Sequence, residues 1–122
     1  MADHEIKVHE LKEIVRVFCE ERDWEQFHNA KDLAIAISIE ASELLELFRF
    51  KNPDEVKALL EDEKGREKVS DELADVLQTL MRFAQLYDID LSEALERKMV
   101  KNVEKYPIEK SRGTARKYNE LE

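Results

Sequence analysis

Hydrophobic residues recur along this chain with the period of helices. From about Asp3 to Arg22, Ile6, Val8, Leu11, Ile14, Val15 and Phe18 fall mostly at i, i+3, i+4, i+7 spacing, which predicts one amphipathic helix. The period lapses over Asp23–Ala30, a connector rich in aromatic and amide side chains. A second helix is predicted from about Lys31 to Phe50. There Ala34, Ile37, Ala41, Leu44, Leu45 and Phe48 share one face, and Ile35 and Ile39 lie on another. A helix apolar nearly all round is covered on several sides. In so short a chain that implies a subunit contact as well as a core.

Asn52-Pro53-Asp54-Glu55 has the makings of a helix start: Asn52 as cap, Pro53 at the first position and Glu55 closing a capping box. The short helix that follows is expected to end near Gly65. A long one then runs from about Arg66 to Tyr87, with Val69, Leu73, Val76, Leu80 and Phe83 on one face. Asp88-Ile89-Asp90 is a tight connection, and Asp90 with Glu93 caps a further helix from Leu91 to about Lys105. Pro107 blocks its continuation, so Tyr106–Glu122 is expected to be extended or irregular. The fold class is all-α: an antiparallel four-helix bundle with one short extra helix and an irregular basic C-terminal tail. Residues 1–122 are read as a single domain, with the tail 106–122 packing over the site or a neighbouring subunit.

Composition agrees. The 122 residues include two Gly and two Pro, with 40% charged and 43% hydrophobic residues. So few chain breakers exclude a sandwich or barrel, and the apolar fraction excludes disorder. The net charge of −9 is unevenly spread. Up to Glu96 there are 12 Lys and Arg against 25 Asp and Glu, a net of −13; from Arg97 onward there are 8 against 4, a net of +4. An acidic body argues against wrapping a nucleic-acid polymer. Cys19 is the single cysteine, which precludes an intrachain disulfide, fits a small core residue and points to a reducing, cytoplasmic setting. No apolar run approaches the roughly 18 residues of a membrane span, and the first ten residues do not read as a signal peptide.

Four acidic residues stand where a solvated charge is not expected. Glu40 and Glu43 form an E-x-x-E pair in the most apolar helix; Glu72 and Asp75 form an E-x-x-D pair in the later long helix. Residues three apart share a helix surface, so each pair is a pincer, and two packed helices would converge four carboxylates. Crowded like charges raise one another's pKa, and a divalent cation relieves them. All-oxygen donors suit Mg²⁺, with Mn²⁺ a possible substitute. A di-iron bundle would need E-x-x-H motifs, which neither helix has. The plainer alternative is two surface pairs bridged to Lys or Arg, and on pattern alone both readings stand.

Lys98, Lys101 and Lys105 line one face of the last long helix, with Asn102 beside them. They are either a solvated basic face near a helix C-terminus or a clamp for phosphate oxygens. Lys110, Arg112, Arg116 and Lys117 follow in the tail. Trp24 and His28 stand just before the second helix, where they could stack on or hydrogen-bond a flat base.

These residues together resemble the all-α nucleoside triphosphate pyrophosphohydrolases of the MazG superfamily, and within it the dCTP pyrophosphatase branch. The stretches carrying the likeness are ERDWEQFH near the end of the first helix, EASELLELFRF (40–50), DELADVL (71–77) and KMVKNVEKYPIEKSRGTARKY (98–118). The resemblance implies that Glu40, Glu43, Glu72 and Asp75 are metal ligands. It implies cleavage between the α- and β-phosphates, giving a nucleoside monophosphate and pyrophosphate. It further implies that His28, Lys31, Lys98, Asn102, Lys105, Tyr106, Arg112, Lys117 and Tyr118 contact the substrate or close over it, and that Trp24 frames the base. Phe50 and Thr79 stand where that branch typically has Trp and Tyr, and both positions are associated with the nucleotide pocket, so base choice is open.

The expected mechanism has one carboxylate, Glu43, orient or deprotonate a water that attacks the α-phosphorus. Glu72 is counted with it as catalytic, and Lys98, Lys101 and the tail cations hold the leaving phosphates. The alternatives are a non-catalytic helical bundle that binds a nucleotide or partner, and the same chemistry on dUTP or a modified nucleotide. The resemblance also implies a homotetramer of tight dimers, favoured over a plain dimer; the expected role is control or cleansing of the nucleotide pool, and no membrane partner is expected.

Overall fold

The computed structural model describes residues 1–121. Among these residues six α-helices follow one another: α1 (Val8–Glu21), α2 (Ala30–Glu46), α3 (Pro53–Glu61), α4 (Glu63–Leu86), α5 (Leu91–Lys105) and α6 (Ile108–Ser111), with single 3-10 turns at Glu25–Phe27 and Tyr118–Glu120. The fold is all-α, as the periodicity predicts. The chain divides into two compact units, residues 1–88 and residues 89 onward.

In the first unit α4 is the central element, and α1, α2 and α3 all pack against it. Cys19, Leu33, Val69, Met81 and Ala84 form its buried core. Side-chain caps set where the helices begin. The Asn29 side chain accepts the Asp32 backbone N–H at 2.9 Å, Asn52 that of Glu55 at 2.9 Å, and Asp62 that of Gly65 at 2.9 Å. Glu55 returns the favour by accepting the Asn52 N–H at 3.2 Å, which completes the expected capping box. Each contact satisfies a backbone donor that the helix itself leaves unpaired.

The helix boundaries differ from the sequence expectation in instructive places. Gly65 does not end a helix; it sits in the first turn of α4. Asp62 alone separates α3 from α4, and its own N–H closes α3 on the Ala58 carbonyl at 3.0 Å. A Cβ at Gly65 would lie 2.3 Å from the Leu59 carbonyl oxygen, so this glycine lets two successive helices touch backbone to backbone. The first helix begins at Val8 rather than near Asp3. Past α2, Phe50 adopts a left-handed backbone (φ 63°), a conformation that a bulky side chain rarely takes.

In the second unit, Asp90 caps α5 by accepting the Glu93 N–H at 2.9 Å. The region after Tyr106 is less irregular than expected. Pro107, whose fixed φ suits a helix start, accepts the N–H groups of Lys110 and Ser111 at 3.0 and 2.9 Å and so initiates α6. The rings of Tyr106 and Tyr118 meet edge to face at 6.2 Å, and the Lys105 ammonium lies 4.8 Å from the Tyr118 ring centre. Among the described residues no helix is long and apolar enough to cross a membrane.

Candidate active site

The two acidic pairs meet. Glu40 and Glu43 stand one turn apart on α2, Glu72 and Asp75 one turn apart on α4. One carboxylate oxygen from each of the four lies within 4.8 Å of the others. Glu40, Glu72 and Asp75 are half-buried and Glu43 is exposed. The Oε2 atoms of Glu40 and Glu72 are buried and have no hydrogen-bond partner. Burial pushes the Glu40 carboxyl above its ordinary value, and Glu43, then Asp75 and Glu72, add to the rise. Glu72 is raised in the same way, by burial first and then by Glu43 and Asp75.

Among the described residues no Lys or Arg forms an ion pair with any of the four. The bridged-surface-pair alternative required such partners. Two orphaned, desolvated carboxylate oxygens in an all-oxygen cluster are the donor set that a hard divalent cation satisfies. The residues therefore fit a metal ion.

A cavity of about 270 Å³ adjoins the quartet through Glu40. Leu33 and Ala36 of α2, Gln78 and Thr79 of α4, and Trp24 and His28 of the connector line it. The two helices run antiparallel here: Glu40 meets the Glu72–Asp75 end of α4, whereas His28, ahead of α2, meets Arg82 beyond it. Trp24 is held edge-on to Phe18 with ring centres 5.4 Å apart. The Thr79 hydroxyl turns back onto its own helix, 2.9 Å from the Val76 carbonyl. His28 accepts the Arg82 Nε–H at its Nδ1, at 3.0 Å. Burial lowers the His28 pKa, and the Arg82 charge lowers it further; with Nδ1 accepting from Arg82, the ring proton belongs on Nε2.

Of the residues expected to touch substrate, Trp24, His28 and Thr79 gather at this cavity. Lys31 and Phe50 are not among its lining residues, and Phe50 is 90% exposed, with the Arg49 guanidinium 4.5 Å from its ring centre. In the second unit, Lys98, Lys101 and Lys105 are exposed on α5 and Asn102 is half-buried. Tyr106 and Tyr118 form the ring pair described above, and Arg112 and Lys117 are exposed. Sequence reasoning missed Arg82 as part of the cavity. Its signal was its position: it follows Thr79 by three residues and Asp75 by seven, which puts all three on one helix surface.

A family model described as the MazG-like family matches residues 35–121, a span that holds all four carboxylates. The chain is 38% identical to dCTP pyrophosphatase 1 of Mus musculus and 37% identical to that of Homo sapiens, in each case over 112 residues, 92% of this chain and 66% of the relative. It thus spans just under two thirds of the length of these curated relatives. A crystal structure of a pyrophosphatase from Archaeoglobus fulgidus superposes with a TM-score of 0.76 at 42% identity, covering 88% of this chain and 98% of the other. On the match of most of its length to that model, the chain belongs to the MazG-like family.

Proposed function

We propose that this chain hydrolyses a nucleoside triphosphate between its α- and β-phosphates, releasing a nucleoside monophosphate and pyrophosphate. The proposed cofactor is Mg²⁺, with Mn²⁺ able to substitute, and the proposed substrate class is the pyrimidine deoxynucleoside triphosphates, dCTP among them. One observation carries the reading: four carboxylates from two helices converge, two of their oxygens buried without partners, and one of the four, Glu40, lines a cavity large enough to take a flat group. The relatives' names, dCTP pyrophosphatase and pyrophosphatase, point to the same chemistry.

Glu40, Glu43, Glu72 and Asp75 would hold the ion. When bound, the metal offsets the charge of the polyphosphate and polarises its phosphoryl oxygens. Glu43, the exposed member of the four, orients a water and takes its proton as the water oxygen bonds to the α-phosphorus. The bond from the α-phosphorus to the bridging oxygen breaks, and pyrophosphate leaves with the electron pair. Glu72 shares in orienting the water. Trp24, His28 and Thr79 border the base, and Lys98, Lys101, Asn102 and Lys105, with Arg112 and Lys117, are proposed as ligands for phosphate oxygens. The expected setting is cytoplasmic, in control or cleansing of the nucleotide pool.

The test is pyrophosphate release from a panel of deoxynucleoside and ribonucleoside triphosphates, with Mg²⁺ and with EDTA. The expected outcome is metal-dependent release with a monophosphate co-product, and at least a ~1,000-fold loss in Glu72→Gln with the helical circular-dichroism signal unchanged. Full activity in EDTA or in Glu72→Gln would overturn the assignment. No release from any triphosphate would favour the non-catalytic bundle.

A further inference from the structure

The His28 residue is held from two sides. Its backbone N–H donates to the Glu25 carbonyl at 3.0 Å, closing the 3-10 turn ahead of α2. Its Nδ1 accepts the Arg82 Nε–H at 3.0 Å, across 54 residues of sequence. The other ring nitrogen, Nε2, has no hydrogen-bond partner among the described residues and keeps access to solvent. The ring lines the cavity together with Trp24, Thr79 and Glu40. A group entering that cavity therefore meets His28 by its Nε2 side, because the Nδ1 side is closed by the guanidinium.

Arg82 itself is a costly way to fill space. It is 2% exposed and its Nη2 is buried without a partner. Among the described residues no carboxylate forms an ion pair with it. A buried guanidinium without a counter-charge is unfavourable, and an apolar side chain of similar reach would pack there without that penalty. Its use lies in the donors it places. Nη1 donates to Gln85 Oε1, one turn further along α4, and Nε donates to His28. The two contacts fix the plane of the guanidinium, and that plane aims Nε at the ring. Arginine only donates, so the nitrogen it meets is the unprotonated one, and the proton of a neutral imidazole then sits on Nε2. Burial, and after it the guanidinium charge, hold the ring below its ordinary pKa. What the cavity receives is a neutral N–H donor of fixed direction, not a cation that would compete for the Glu40 carboxylate.

We propose that Arg82 is a positioning residue: through Nε it locks His28 in one tautomer and one orientation, so that Nε2–H donates to an acceptor atom of the ligand in this cavity. The proposal rests on the pyrophosphohydrolase reading and deepens it. For a nucleotide that acceptor is a carbonyl oxygen or ring nitrogen of the base. Every nucleobase offers one, so the contact adds binding without choosing among bases.

The experiment combines two readouts. Heteronuclear NMR of the imidazole nitrogens in the metal-free protein reports which nitrogen carries the proton, and the signals lost in His28→Ala assign the ring among the three histidines. Steady-state kinetics with Mg²⁺ and the most active triphosphate are measured on the wild type, Arg82→Met, Arg82→Lys, His28→Ala and the Arg82→Met/His28→Ala double variant, each checked by thermal melting. Wild-type His28 is expected in the single Nε2–H form, and Arg82→Met to average between the two tautomers. In Arg82→Met, KM should rise about tenfold with kcat within about threefold, the scale of one hydrogen bond made equally before and during reaction. In the His28→Ala background the same substitution should change KM by less than about twofold, because its effect passes through the ring. Arg82→Lys, which keeps a charged donor without the fork, should recover part of both readouts. A wild-type ring protonated on Nδ1, or on both nitrogens at neutral pH, overturns the proposal without any variant. So does a full, additive loss in the double variant, or a lowered melting temperature with tautomer and KM unchanged, which marks a merely structural residue. All three results leave the hydrolytic reaction standing. Absence of turnover on every triphosphate overturns the reaction and the contact to a base with it, and the NMR readout then still decides whether Arg82 sets the ring.

Discussion

Within the quartet, the same crowding that suits a cation sets a sign for pH dependence. Glu40 is raised by burial and by its three acidic neighbours. An acid raised in the folded state holds its proton there at pH values where the unfolded chain has released it. Its contribution to stability is full below the ordinary value of about 4.3 and is lost as pH climbs through the raised value. The metal-free Glu40→Gln variant should therefore melt above the wild type at pH 7, and the difference should close near pH 4. Added Mg²⁺ should narrow or reverse the order at pH 7, because only the intact quartet gains stability by binding. Superimposable wild-type and Glu40→Gln melting at both pH values would show that the cluster carries no such burden. These four residues are legible in the sequence because their spacing of three repeats in two apolar stripes. Arg82 is legible only in part: its spacing puts it on the Asp75–Thr79 surface, but a lone cation in a charged helix reads as solvated, and its partner His28 stands more than fifty residues earlier in the chain.

The elements hold their places through caps and one close backbone approach. Asn52 and Glu55 satisfy each other's backbone donors at the start of α3, so Asn52→Ala should cost about 1 kcal/mol of unfolding free energy. Gly65→Ala should cost more, about 2 kcal/mol, because the added methyl meets the Leu59 carbonyl oxygen, which is main chain and cannot swing aside. Chemical denaturation of both variants checks the order. A smaller loss at Gly65 than at Asn52 would mean that α3 and α4 are not held as closely as described. The existence and type of each long helix followed from periodicity, and the Asn52 start from its motif. The role of Gly65 did not, since a glycine after an apolar run ordinarily marks a helix end. Its use for contact depends on α3 folding back against α4, a tertiary fact with no local signature. Pro107 behaves similarly: it halts α5 as expected, then starts a turn of its own.

For the molecule as a whole, the exposed apolar residues are the telling surface. Ile35 and Ile39 of α2 are 47% and 52% exposed, and Leu73, Leu77 and Leu80 of α4 are exposed as well. A two-faced apolar α2 was the sequence's hint of subunit contact, and the single chain leaves that second face open. An open apolar surface of this kind is characteristic of an association site. A homotetramer is the proposed state, so light scattering should return about four times the 14.4 kDa chain mass. Ile39→Glu should shift the mass downward while helicity is retained. A monomeric wild type at micromolar concentration would contradict the proposal.

The longest helix has a consequence for how such a protein can change over generations. Between Gly65 and Arg82, α4 carries in order the contact to α3, the acidic pair, Thr79 and the buried guanidinium, with only Asp62 as slack ahead of it. It works as a ruler. One residue inserted or deleted inside that interval would turn everything beyond it by about 100° and slide it about 1.5 Å, scattering groups that must converge. Side chains at the far end can be exchanged singly without disturbing the acidic end. Length cannot drift there at all, so novelty in this scaffold must come by substitution within α4 and by insertion only outside it.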